Sequence, residues 1–288
     1  METHNASKRT APSIGLAYSA HVPRILEKHR ALLDFIEVPF ELLEHDPHVL
    51  DALVDIPIVL HCASLSIASV HRPETQVLSA VNKWLNYTNS PWLGEHLSFI
   101  SENLPEGIGK ADEYAPNEPY NLGYTLSPPM NLESVQVVVS AIAEARTIID
   151  RPIILENPPL YFVPPTTVLS QVEFINAIAS ESDIGLLLDI SHLLITRQNV
   201  GDERLGNLND YPFQLVREIH LSGATRDSGI LWDNHAAHMS EEAWNLFRYV
   251  LGRCQPSAVT LEYNWAAAFP VDAILGELQQ ARSILGLS

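Results

Sequence analysis

Short apolar runs rich in branched aliphatic side chains recur along the chain at Ile14–Ser19, Phe35–Phe40, Ile56–Cys62, Trp92–Phe99, Pro152–Pro158, Ile184–Ile190, Val216–Gly223 and Ala258–Trp265. Several, Ile58-Val59-Leu60 and Leu186-Leu187-Leu188 among them, are apolar at consecutive rather than alternate positions. Successive side chains of a strand point to opposite faces, so such runs predict strands covered on both sides, as in a parallel sheet flanked by helices. The segments between them carry helical spacing. Over Gln76–Tyr87, Val77, Val81, Trp84 and Leu85 share one face, and Leu132–Ile149 and Glu241–Leu251 repeat the pattern. Ser240, ahead of Glu241, Glu242 and Ala243, reads as a helix N-cap followed by an acidic first turn.

Strands alternating with helices imply right-handed βαβ units, and eight of them match a closed (β/α)8 TIM barrel, an α/β fold in a single domain. A doubly wound nucleotide-binding sheet is disfavoured because no Gly-rich phosphate-binding turn occurs. The polar residues 1–13 read as a disordered N-terminal leader, with the barrel over 14–288. The one long irregular connection, Ser101–Met130 (101–130), follows the fourth strand and is rich in Pro, Gly, Asn and Tyr. A loop of that length inside a compact domain predicts a lid.

At 46% hydrophobic, the 288-residue chain has enough apolar material for such a core. No apolar run reaches the roughly 18 residues of a membrane span, so no membrane association is expected. The start lacks the apolar stretch of a signal peptide, and two cysteines, Cys62 and Cys254, make no disulfide framework. A reducing, cytoplasmic location is the expectation. Against 17 basic residues stand 35 acidic ones, a net charge of −18. That balance argues against nucleic acid as a partner, because phosphate binding recruits a basic face. It is compatible with a solvated acidic surface and with carboxylates neutralised by bound cations.

The polar residues of the apolar runs fall at their C-terminal ends. The third segment ends in Leu60-His61, the fourth holds Glu95-His96, and the fifth ends in Leu155-Glu156-Asn157. The sixth ends in Leu188-Asp189 and continues to His192, and the seventh ends in Ile219-His220, followed by Asp233-Asn234-His235. The eighth runs into Leu261-Glu262. Taken singly, each is readily a hydrogen-bonded core histidine or a helix cap. Taken together, His61, His96, Glu156, Asp189, His192, His220, Asp233, His235 and Glu262 would crowd one barrel mouth, the face that holds barrel active sites. Such groups repel or desolvate one another unless cations lie between them. Nine donors exceed the needs of one ion, so two or three are expected. A set of imidazoles and carboxylates without thiolate suits iron, manganese or zinc. Tyr18, His21, Glu37, Asn157 and Asn264 are weaker candidates for lining the substrate pocket, and Glu95 for orienting an imidazole. His238 has no assigned role.

The ordered set IGL, LH, EHLSF, LENP, LLLDISH, IHLSG, a D-x-H segment and LEYN resembles the multinuclear non-heme iron-dependent oxidative enzyme family (MbnB/TglH-like), over about Ile14 to Ala281. The ligand pattern is also similar to that of endonuclease IV and the xylose-isomerase-like barrels. The resemblance implies one metal among His61, His96 and Glu156, and a second among Glu156, Asp189, His220 and Glu262, the four residues expected to be catalytic. His192, Asp233 and His235 would hold a third. It further implies two or three mixed-valent Fe(II)/Fe(III) ions, O2 as co-substrate, and oxidation of a Cys, or of Asp or Asn, in a ribosomally made precursor peptide. A small partner protein that recognises the leader peptide is implied as well. Cys62 and Asn264 depart from the residues common in that family, Gly and Asp, and bear on the substrate. The rival readings are a divalent-metal hydrolase or isomerase of the endonuclease IV or xylose isomerase type, and a metal-binding protein without turnover.

Overall fold

The computed structural model describes residues 11–102, 120–263 and 270–287. Its strands are β1 (Ser13–Ala17), β2 (Phe35–Pro39), β3 (Ile58–Cys62), β4 (Leu93–His96), β5 (Phe99–Glu102), β6 (Tyr120–Leu126), β7 (Ile153–Glu156), β8 (Gly185–Asp189), β9 (Val216–Leu221), β10 (Thr225–Asp227), β11 (Ile230–Trp232) and β12 (Ala258–Leu261). Eight of these close a parallel barrel in the order β1-β12-β9-β8-β7-β4-β3-β2. Its seam is the pairing of Ser13 with Ala258 and of Leu16 with Leu261. The barrel strands are those the doubly apolar runs predict, each ending earlier than its run except β3, which runs to Cys62, while β1 starts one residue ahead of its run at Ser13.

The helices are α1 (Val22–His29), α2 (Phe40–His45), α3 (Thr75–Thr88), α4 (Leu132–Ala145), α5 (Gln171–Glu181), α6 (Ile190–Val200), α7 (Asp202–Leu205), α8 (Glu241–Leu251) and α9 (Val271–Leu285). Each long helix turns an apolar stripe to the barrel. Val135, Val138, Ala141 and Ile142 do so on α4, and Trp244, Phe247 and Val250 on α8. Ser240 caps α8 through the Ala243 amide, as its sequence predicts. The α4 helix stops at Ala145 rather than Ile149, and the chain turns there as Ile149 N donates to Ala145 O at 2.8 Å.

Two small hairpins depart from the expected pattern. The fourth run does not continue as one strand to Phe99: β4 ends at His96, and β5 then pairs antiparallel with β6. The two ends of the expected 101–130 loop are therefore ordered against each other, while residues 103–119 lie outside the described residues. The second hairpin, β10–β11, turns at Ser228-Gly229, both with positive φ, and delivers the chain to Asp233. Of the expected leader, residues 1–10 lie outside the described residues, and β1 starts at Ser13.

Beneath the mouth, the interior holds a buried carboxylate. Glu218 accepts hydrogen bonds from Trp92 Nε1 at 2.8 Å and Thr260 Oγ1 at 2.6 Å, which ties β9 and β12 to the residue that precedes β4. At α5, Ser170 and Glu173 form a reciprocal capping box. Ser170→Ala removes the oxygen that accepts the Glu173 amide, and the expected loss is about 1 kcal/mol, or roughly 2–4 °C in thermal midpoint, with metal uptake unchanged. Calorimetry beside metal analysis checks both, and a loss of metal in this variant would mean that α5 shapes the mouth.

Candidate metal centre

Strand register sets the mouth. His96 pairs with Glu156 across β4 and β7, Asp189 with His220 across β8 and β9, and Pro39 with His61 across β2 and β3. Each strand thus ends at one level, with its last inward side chain in a common space. Asp233 and His235 arrive from the loop after β11, and Glu262 directly follows β12. The nine residues named from the sequence come together in three groups whose ligand atoms lie within 4.8 Å of one another: His61, His96 and Glu156; Glu156, Asp189, His220 and Glu262; His192, Asp233 and His235. Glu156 belongs to two of them. Glu37, expected only to line a pocket, forms a further group with His61 and His220.

The distances suit shared cations better than hydrogen bonds. His61 Nε2 lies 2.9 Å from His96 Nε2 and 3.4 Å from Glu156 Oε2. His220 Nδ1 lies 3.0 Å from Glu262 Oε2, and Asp233 Oδ1 lies 2.8 Å from His235 Nε2. Two donors each about 2.1 Å from one ion, roughly at right angles, stand about 3 Å apart. Glu156 Oε1 and Oε2, Asp189 Oδ2, His220 Nδ1, Asp233 Oδ1 and His235 Nε2 are all buried without a hydrogen-bond partner. Buried polar atoms are nearly always paired, so a convergent set of orphans marks a place for something positive. The residues present therefore fit a multinuclear centre.

What braces these side chains is also visible. Asp189 caps α6: its Oδ1 accepts from His192 N at 2.6 Å, leaving Oδ2 for the mouth. His192 Nδ1 donates to Asn157 O at 2.8 Å, which turns Nε2 toward Asp233 Oδ2 at 2.8 Å. The Asn157 amide, expected to face substrate, grips the Asp189 backbone instead, donating at 3.1 Å and accepting at 2.9 Å. Tyr161 OH accepts from Asp233 N at 3.2 Å and its ring lies 5.0 Å from that of Trp232. His235 sits at φ 51°, a left-handed conformation costly for a side chain of its size. Gly223 lets the loop carrying His235 press onto the end of β9, where an added Cβ would fall 1.8 Å from Ala237 O.

Other expectations land nearby. Tyr18 follows β1, half-buried, with its amide donating to Glu37 O, and His21 precedes α1. Glu95 accepts from the backbone of Leu65 and His96 rather than orienting an imidazole. Burial, with Glu95 and Glu41 beside it, pushes the Cys62 thiol well up, which keeps it from acting as a thiolate ligand. His238 pairs with Glu277 at 2.9 Å, away from the three groups. Asn264 lies outside the described residues.

Charge in the mouth divides sharply when no cation is there. Burial pushes Glu156 and Glu37 up to about 8 and raises Asp189. Burial also holds His61 well below its usual range and His96 down to about 4. Burial opposes charging His220, yet Glu262 and Glu37 lift it well above the usual range, as Asp189 and Asp233 lift His192. His235 is raised to about 9 against its burial by Asp233. Burial would likewise raise Glu262 and Asp233, but His220 and His192 respectively draw them far down. Without a cation these shifts favour protons on Glu37, Glu156, His192, His220 and His235.

A family model described as RiPP precursor modification enzyme MbnB/TglH/ChrH matches residues 13–286. A UPF0276 protein of Caulobacter vibrioides is 27% identical over 268 residues, covering 91% of this chain and 90% of its own. Another from Rhizobium meliloti is 29% identical over 275 residues, covering 92% and 84%. Among solved structures, 3-keto-D-glucoside 4-epimerase from E. coli matches with TM-score 0.56 at 14% identity, over 94% of this chain and 99% of that one. Endonuclease IV from Thermus thermophilus matches with TM-score 0.52 at 14% identity, over 96% and 100%. At such identity the likeness is one of fold, a closed parallel barrel of eight strands wrapped by helices.

The protonated mouth makes a prediction about stability. Above pH 7 the unfolded chain leaves glutamates ionised and histidines neutral, so the folded, metal-free chain holds extra protons on Glu37, Glu156, His192, His220 and His235. Their contribution is lost as pH rises through the folded values, whereas His61, His96, Glu262 and Asp233 have the same charge in both states there. The thermal midpoint of chelator-treated protein is expected to fall by several degrees between pH 7 and pH 9. Added zinc should raise it, and more so at pH 9, where fewer protons need displacing. A metal-free midpoint that is flat or rising over this range contradicts the charge distribution described.

Proposed function

We propose that this chain, which belongs to the MbnB/TglH/ChrH family of RiPP precursor modification enzymes, oxidatively modifies a ribosomally synthesised peptide at a Cys, or at an Asp or Asn, with two or three mixed-valent iron ions and O2. The observation that carries this reading is the set of three donor groups, two of them joined through Glu156, with the orphaned oxygens and nitrogens pointing inward. The donors are imidazoles and carboxylates, and the nearby thiol of Cys62 is turned to Glu41 at 3.6 Å. That chemistry suits a redox-capable first-row metal.

Iron bound there would supply the redox electrons and an open position for O2. The protein's part is to hold and orient. Glu156 spans the first two groups and fixes their spacing; Asp189, His220 and Glu262 complete the second. His192, Asp233 and His235 form the third at the edge of the mouth, where Asp233 and His235 are half-buried. Exposed aromatic side chains stand on the same side, Trp232 at 40% and Phe162 at 54% exposed. These support a substrate longer than a small metabolite, since a peptide would gain contact area from such a rim. A small partner protein that recognises the leader peptide belongs to this proposal, as does a cytoplasmic location, in keeping with two free, buried cysteines. Among the described residues no helix is long and apolar enough to cross a membrane.

A second reading is divalent-metal hydrolysis or isomerisation. It is favoured by the same thiolate-free donor set, which suits zinc or manganese equally, and by a fold shared with an epimerase and endonuclease IV. A DNA substrate fits poorly with a net charge of −18.

Metal analysis and Mössbauer spectroscopy of anaerobically purified protein separate the two. Two or three coupled, mixed-valent irons per chain, with O2 uptake on adding the precursor peptide, are expected. Stoichiometric zinc or manganese without O2 uptake moves the function to the second reading. Glu156→Gln removes the charge shared by two groups and is expected to lose metal from both, with activity falling by at least about 100-fold. A variant with a full metal complement and full activity would remove Glu156 from the centre.

A further inference from the structure

Glu37 stands behind the imidazoles of the mouth rather than among the groups facing it. It is the third residue of β2, after the apolar pair Phe35-Ile36, and is 2% exposed. Its Oε2 lies 3.1 Å from His220 Nε2 and 3.9 Å from His61 Nδ1. In both rings this is the nitrogen turned away from Glu156. His220 gives Nδ1 to Glu262 at 3.0 Å and Glu156 at 3.7 Å, while His61 gives Nε2 to Glu156 at 3.4 Å. The two rings, one from each of two metal groups, lie 5.5 Å apart.

Among the described residues, other acceptors behind these rings are occupied or absent. Glu218 Oε1 lies 3.8 Å from His220 Nε2, but both Glu218 oxygens are already engaged by Trp92 and Thr260. His61 Nδ1 is buried with no hydrogen-bond partner, and its edge abuts Gly94, where a Cβ would come within 2.6 Å. A cation among Glu37, His61 and His220 would need the lone pairs of their back nitrogens. An imidazole can serve two metals at once only as an imidazolate that has lost its one ring N–H, so such an ion would compete with both neighbouring groups.

We propose that Glu37 is a shared positioning residue for the metal centre. It accepts the Nε2–H of His220, which leaves the lone pair on Nδ1, and it provides the acceptor toward which the Nδ1–H of His61 closes. One buried carboxylate thereby sets the ligand atoms of two adjacent groups and raises the basicity of both imidazoles. The inference rests on the metal-centre reading above and adds to it a coupling between two subsites through a residue that touches neither ion.

The test compares zinc affinity, measured by competition with a chromophoric chelator, in stripped full-length wild type, Glu37→Gln and Glu37→Leu. Gln keeps a carbonyl acceptor, whereas Leu fills the space without one and keeps water out. Circular dichroism melts verify folding, and long-range 1H–15N correlation of the zinc-loaded chains reports the tautomers. Glu37→Leu is expected to weaken zinc binding by about 10–100-fold and to scramble the His220 tautomer. Glu37→Gln should keep both close to wild type, with Nε2 of His220 protonated and Nδ1 bound. If Gln is as damaging as Leu, Glu37 is itself a ligand and the proposal fails. If Leu binds zinc as wild type does, Glu37 has no part in positioning. A wild-type chain that takes up no zinc overturns the metal-centre reading itself, a separate result.

Discussion

Two buried oxygens on one side chain, neither with a hydrogen-bond partner, dominate the energetics of this barrel mouth. Glu156 is 1% exposed and faces His61, His96, His192 and His220 at 3.3 to 3.7 Å. An ionised carboxylate in that setting is tolerable only beside positive charge, and nearby protons or cations are the two ways to provide it. The surrounding arrangement follows from that need. Strand ends bring imidazoles to one level, Asp189 and Asn157 lock the β7–β8 corner, and the strained His235 backbone closes the remaining side. Shared charge also makes the groups interdependent, because a change at Glu156 alters two of them at once.

Much of this was legible in the chain. Doubly apolar runs such as Ile58-Val59-Leu60, short and rich in β-branched residues, read as strands covered on both faces, and eight of them in alternation with helices match a closed barrel. The clustering of His61, His96, Glu156, Asp189 and His220 follows from their strand-end positions, since every barrel strand ends at the same mouth, while His192, Asp233, His235 and Glu262 reach it just past a strand. Legibility failed where the partner is remote. Glu37 and His220 are 183 residues apart, and no local pattern announces that a mid-strand carboxylate will sit behind a particular imidazole. Glu218 was missed for the same reason, although its place two residues before His220 puts both on the inner face of β9. Asn157 misled because an amide after a strand-end Glu looks equally ready for substrate or for backbone. The Ser228-Gly229 turn was the readable signal for the second hairpin.

The fold itself is indifferent to chemistry. An epimerase and an endonuclease share the barrel at 14% identity, so what distinguishes this chain lies in its donor set and in the connections around the mouth. Those connections include both hairpins, the Tyr161–Trp232 pair and the segment from Pro158 to Pro165. The strands hold five of the nine donors, and these connections supply Asp233 and His235 and brace Asp233 through Tyr161.

The seam of the barrel has a consequence for the protein's life history. Ser13 pairs with Ala258, and the donors are spread from His61 to Glu262, so the earliest and latest parts of the chain must meet before the mouth exists. During synthesis no stretch that has emerged alone can gather all three groups. Pairings this distant in sequence are slow to form. The mouth and its three groups of donors are therefore a property of the finished chain and of no part of it alone.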